Sequence, residues 1–237
     1  MSSKFFSLHS ASSLLWGLII LMSFALFSLL YFIGVWNSIY PLGLMTGDAG
    51  NIASFTAARI HPEAFTRDFA FNNIKNFQFY ATIHIPLLAL LHKLFNFHLG
   101  KAFLAFLPFQ IFFQLAGFYI LGRMLFRSRV WALLFSVLNI LTYWSPGLGD
   151  YWGIHVQPQP RFLFQAFLPA LLIPAIKWRK IPEKWPYVMT IAGLSVYVHP
   201  VSSPAWALAI WLGMGLFLPP EWSTGKKITR MLGLGMI

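Results

Sequence analysis

The stretch LLWGLIILMSFALFSLLYFIGVW, residues 14–36, runs for 23 positions without an Asp, Glu, Lys, Arg or His. A helix over it is about 35 Å long at 1.5 Å per residue, more than the roughly 30 Å of bilayer hydrocarbon. Trp16, Tyr31 and Trp36 stand near its ends, where aromatic rings favour the membrane–water boundary. It is too long for the apolar core of a cleaved secretory signal, so the sequence predicts an uncleaved signal anchor.

Working outward, the rest of the chain has the same character. Of 237 residues 58% are hydrophobic and only 10% charged, with a mean hydropathy of +0.67, which excludes an ordinary water-soluble domain. With no cysteine, a disulfide scaffold, a thiolate zinc site and a cysteine nucleophile are excluded as well. The 17 Lys and Arg outnumber the 6 Asp and Glu. In so apolar a chain this excess marks cytoplasmic loops rather than nucleic-acid binding, and the implied partner is membrane lipid. Further uncharged runs cover 102–122, 130–144, 162–176 and 185–220, the last divided into two helices by His199-Pro200 and Pro204. The expected fold is all-α: a single polytopic transmembrane helix bundle of about six spans over residues 1–237. A seventh span is cut short at 231–237, as in the front part of a longer protein.

Residues 79–99 are apolar enough to cross but carry His84, Pro86, His92 and Lys93. If they cross, about ten basic residues fall outside. If they lie on the outer face, eleven basic residues are inside against six outside, as the positive-inside rule requires. The second topology puts the N-terminus in the cytoplasm of a bacterial inner (plasma) membrane protein. It gives the outer face a long loop, 37–101, the loop 145–161 and the turn at 199–203. Loops this long are usually functional or disordered. The six phenylalanines between Phe55 and Phe79 argue for order, with short juxtamembrane helices over 49–59 and 85–95.

Carboxylates are few enough to weigh singly. Asp48, in Thr46-Gly47-Asp48-Ala49-Gly50-Asn51, reads either as a helix N-cap or as a base or divalent-metal ligand at the mouth of an outer cavity. Asp68, beside Arg67, is a solvated pair or a substrate contact, and Asp150 between Gly149 and Tyr151 is a turn residue. Arg161 opens a span at its outer end, where both the helix dipole and the topology rule disfavour a cation. It is a snorkelling anchor or a fork for a lipid phosphate. His199, in the longest uncharged run, and His155, on the loop of Arg161, are hydrogen-bonded bundle residues or ligand contacts. The histidines show no HExxH spacing, and neither a Walker loop nor a Rossmann fingerprint is present.

Two pieces of sequence carry a family likeness. The first is Ile85-Pro86-Leu87-Leu88-Ala89-Leu90-Leu91-His92-Lys93-Leu94-Phe95, followed by Gly100-Lys101-Ala102 and a span ending Tyr119-Ile120-Leu121-Gly122-Arg123-Met124-Leu125-Phe126. The second is Ile191-Ala192-Gly193-Leu194-Ser195-Val196-Tyr197-Val198-His199-Pro200. Together they resemble the front half of the GT-C fold glycosyltransferases, which include the polyprenyl-phosphate-dependent mannosyl and aminoarabinose transferases. The likeness covers most of residues 12–218. This chain departs from the family at Ala49, where a second acid is common, at Ile85, where Lys is common, and at His199, which stands in place of Lys.

The resemblance implies direct displacement at an anomeric carbon on the outer side of the membrane, with a polyprenyl-phosphate sugar as donor and no nucleotide. Asp48 would take the acceptor hydroxyl's proton. Arg161 and His199 would hold the departing phosphate, so Asp48 and Arg161 are expected across one outer cavity. The rival readings are a transporter or lipid flippase, from the Pro-broken helices around 199–204, and a non-catalytic membrane protein.

Overall fold

The computed structural model describes residues 11–38, 47–78, 82–141, 143–145, 150–156 and 158–237. In chain order these form α1 (Ala11–Ser38), α2 (Gly47–Ile60), α3 (His84–Phe95), α4 (Leu99–Leu104), α5 (Leu107–Phe126) and α6 (Arg129–Leu138), then a hairpin of β1 (Tyr143–Ser145) and β2 (Asp150–Trp152). The chain continues through α7 (Pro160–Lys177), α8 (Trp185–Leu194), α9 (Ser202–Gly215) and α10 (Thr224–Gly235). Apart from the hairpin the fold is all-helical.

α5 is the axis of the packing. Against it α1 runs antiparallel: Phe24 meets Tyr119 edge to face at 6.0 Å, and Trp36 lies under the Lys101 ammonium at 4.9 Å. α6 is antiparallel too, held by Ser136 Oγ donating to the Leu115 carbonyl at 2.6 Å and Gln114 Nε2 donating to that of Asn139 at 2.7 Å. α7 runs parallel to α5, with Phe113 on Phe167 at 5.1 Å and Gly117 under Pro169. A Cβ at Gly117 would stand 2.9 Å from the Pro169 ring, and one at Gly122 2.9 Å from Ala132 Cα, so glycine sets how closely both neighbours approach.

These directions sort the chain's charges. The Arg161 end of α7 lies with the start of α5, whereas the Lys177 end lies with Arg123. On the far side of α7, a second core joins Phe164, Leu168 and Trp185 to Ile210 and Leu234. α10 leaves the basic end and runs up beside α9, where Trp211 Nε1 donates to the Met231 carbonyl at 2.8 Å, and reaches Gly193 with Ile237. Residues 231–237 thus belong to α10 and its end.

The loop over 37–101 carries the two expected helices as α2 and α3. A small core of Ala49, Ile52, Ile85, Leu88 and Phe103 clamps them to α4. α3 has 12 residues and ends at Asn96 in the left-handed region (φ 50°). It is about 18 Å long, well short of a bilayer core.

Among the described residues two helices have the length and composition to cross a membrane, Leu14–Asn37 and Leu99–Phe126. The first buries only 17% of its most apolar window, leaving Met22 71% and Leu30 60% exposed. The expected span over 130–144 is corrected: α6 stops at Leu138 after ten residues, about 15 Å. Asn139 Nδ2 turns back onto the Phe135 carbonyl while its own carbonyl accepts from Gln114, and the aromatic run beyond enters the hairpin, Tyr143 opposite Trp152.

Candidate functional site

The connection between α8 and α9 meets the start of α3 at the Arg161 end of the bundle. There the Ile83 amide donates to the Tyr197 carbonyl at 2.8 Å, which brings His84 to His199. His84 is fully buried, its ring 5.6 Å from that of Phe106 and 6.3 Å from that of Phe103. Its Nδ1 lies 3.1 Å from Thr82 Oγ1, which also accepts from the His84 amide at 3.4 Å. The threonine hydroxyl keeps a proton and a second lone pair for the ring, so it can serve either tautomer of His84. His84 Nε2 is buried and has no hydrogen-bond partner among the described residues. Burial first, and then the positive charge of His199, lower the His84 pKa from 6.5 to about 4, so the imidazole is neutral at physiological pH.

One turn along α5 from Phe106 stands Gln110, fully buried, with neither amide atom partnered among the described residues. Gln114 follows on the same face, its nitrogen engaged by Asn139 and its oxygen free of partners among those residues. Each orphaned buried group costs on the order of 1–3 kcal/mol unless water or a ligand satisfies it. The orphaned His84 Nε2 beside His199, with two orphaned amides on α5, is the mark of a site rather than of a sealed core.

His199 is itself buried. Its Nδ1 accepts from the Ser202 amide at 3.1 Å and its ring centre is 6.4 Å from that of Phe164. Ser195 and Ser203, 2.6 Å apart, both bond the Ala192 carbonyl and tie the α8–α9 break together. His155 stacks on Phe162 at 4.9 Å and 6°. Arg161, half-buried, is the second residue of α7 and adjoins Phe162 in sequence. Three of the residues singled out in the sequence, His155, Arg161 and His199, therefore share one end of α7.

Asp68 is exposed and spends Oδ1 on the amides of Ala70 and Phe71 at 2.8 and 2.9 Å, the geometry of a turn cap. Asp48 is the second residue of α2, inside its first turn rather than at the position before the helix. Its side chain, and that of Asp150, lie outside the described residues, as does any approach of Asp48 to Arg161. Among the described residues no group of three His, Asp or Glu is placed to hold a metal ion. A cavity of about 480 Å³ lies on the loop helices, lined by Ser54, Ala57, Phe65, His92 and His98 among others.

Sequence reading missed His84, Thr82 and Gln110. The available signal was a His and a Gln set singly into long apolar runs. No protein-family model, curated protein or solved structure matches this chain.

Proposed function

We propose that the chain is an integral membrane protein of the GT-C kind that transfers a sugar from a polyprenyl-phosphate donor to an acceptor at the outer face. One observation carries the reading: a neutral, buried imidazole with an unpartnered Nε2, that of His84 on α3, meets His199 at the end of the bundle where Arg161 opens α7, and α5 carries two further orphaned amides. Sugar hydroxyls satisfy such groups without bringing a charge into the site, and the cation of Arg161 complements a phosphate at its edge. The exposed apolar surface of α1, together with the length of Leu14–Asn37 and Leu99–Phe126, supports residence in a bilayer. With α1 antiparallel to α5 and α7 parallel to it, the start of α1, Arg123 and Lys177 share one end of the bundle, and the basic residues there favour that end as the cytoplasmic one.

In this scheme the polyprenyl tail stays in lipid and the sugar phosphate enters beneath the loop helices. Asp48 takes the acceptor proton as the new bond forms, and Arg161 with His199 stabilises the charge growing on the leaving phosphate. The test is transfer from polyprenyl-phosphate sugars by the purified protein in detergent. Wild type should transfer, and Arg161→Lys, which loses the forked geometry, should weaken donor binding more than an Arg67→Lys control. No transfer from any of a panel of donor sugars, with lipid or solute movement across vesicles instead, would favour a transporter, whose helices break as α8 and α9 do.

A further inference from the structure

At the opposite end of the bundle a cavity of about 830 Å³ opens between the start of α8 and one face of α10, lined by Pro182, Glu183, Trp222, Lys226, Arg230 and Ile237 among others. Its α10 wall repeats at helical spacing through Lys226, Thr229, Arg230, Gly233, Leu234 and Ile237, and its polarity changes along that wall. Lys226 stands in the first turn beside Trp222, and Arg230 one turn on beside Pro182. Beyond them Gly233 leaves the wall open, since a Cβ there would meet nothing within 4 Å, and the last positions are apolar. One guanidinium nitrogen of Arg230 donates to the Pro182 carbonyl, while its Nε is buried with no partner among the described residues. The Lys226 ammonium sits 4.4 Å over the Trp222 ring, the pairing found at a membrane boundary. Lys226 lies in the first turn of the helix, where the dipole favours an anion.

We propose that this groove binds an anionic glycerophospholipid, with its phosphodiester on Lys226 and Arg230 and an acyl chain along Gly233, Leu234 and Ile237. The gradient along α10 favours a lipid over free phosphate, because the apolar half of the groove has no use for an inorganic ion. Glu183 at the rim accepts from headgroup hydroxyls, which suits a glycerol headgroup. The proposal needs the chain to reside in a membrane but not the transfer reaction, so loss of one leaves the other standing.

The experiment measures lipid retention by native mass spectrometry, and thermal stability, for the whole chain in a neutral detergent. Phosphatidylglycerol, phosphatidylethanolamine, phosphatidylcholine and inorganic phosphate are added separately. Phosphatidylglycerol should bind and raise the melting temperature, and the other three should not. Lys226→Gln with Arg230→Gln should weaken that binding by roughly tenfold or more, the loss of charge-assisted hydrogen bonds. Should that double variant fail to fold, Gly233→Leu keeps the test open: it removes no hydrogen bond, favours the helix, fills the groove and should abolish retention. Lys227→Gln, outside the cavity lining, should bind as wild type does. Equal binding of phosphatidylcholine, a response to inorganic phosphate alone, or full retention by Gly233→Leu overturns the proposal.

Discussion

Acidification should loosen this protein through His84. His84 is neutral in the fold with a pKa of about 4, against 6.5 when unfolded. Between those values the unfolded chain binds the extra proton, so stability is complete above about pH 6.5 and falls as the pH drops toward 4. At 1.36 kcal/mol per unit, the loss attributable to this one group is on the order of 1 kcal/mol at pH 5.5 and 2–3 kcal/mol at pH 4.5. The residue is fully buried between Phe103 and Phe106, so solvent screening does not dilute the effect. The assay is chemical unfolding in detergent across pH 7.5 to 4.5, for wild type and His84→Gln. The variant keeps a hydrogen-bonding side chain but cannot be protonated there. It should start less stable, through lost packing on the two phenylalanines, yet lose on the order of 2–3 kcal/mol less than wild type over the window. Parallel curves for the two proteins would refute the burial and the neutral state assigned to His84.

Three other expectations follow from the packing and the charges. Gly117→Ala should cost about 1–3 kcal/mol in thermal unfolding, because its Cβ would meet the rigid Pro169 ring at 2.9 Å; a variant as stable as wild type contradicts the α5–α7 contact. Gly153 has φ +95° and its Cβ would fall 2.3 Å from the Leu141 carbonyl oxygen, so Gly153→Ala should lower expression and melting temperature more than Gly117→Ala does. Reporter fusions at Asn76 and Lys101 should both read out on the outer side, since α3 between them is too short to cross; opposite sides would move every proposed site residue.

What the sequence revealed follows from how local each signal is. α1 declares itself in 23 uncharged residues, and α2 and α3 in short apolar periods interrupted by charge. The hairpin does not: Tyr143, Trp144, Tyr151 and Trp152 are as apolar as a span, and only the pairing of Tyr143 with Trp152, nine positions on, makes them strands. α6 ends because Gln114 of another helix takes the carbonyl of Asn139, a contact no window of sequence contains. In the site, Arg161 and His199 drew notice as polar residues in costly places, and packing brings His155 and His199 against Phe162 and Phe164. His84 and Gln110 gain their meaning from burial and from having no partner, both tertiary properties. Asp68, read as a solvated pair beside Arg67 or a substrate contact, serves the amides of Ala70 and Phe71.

The assignment of the catalytic base stands or falls on Asp48. Asn caps or enters a helix nearly as well as Asp, so Asp48→Asn should insert and fold as wild type does. In a detergent assay of transfer from a polyprenyl-phosphate sugar, its turnover should drop by roughly 10²–10⁴-fold, the contribution of a positioned base. Turnover that survives the substitution in a protein that transfers sugar would contradict it.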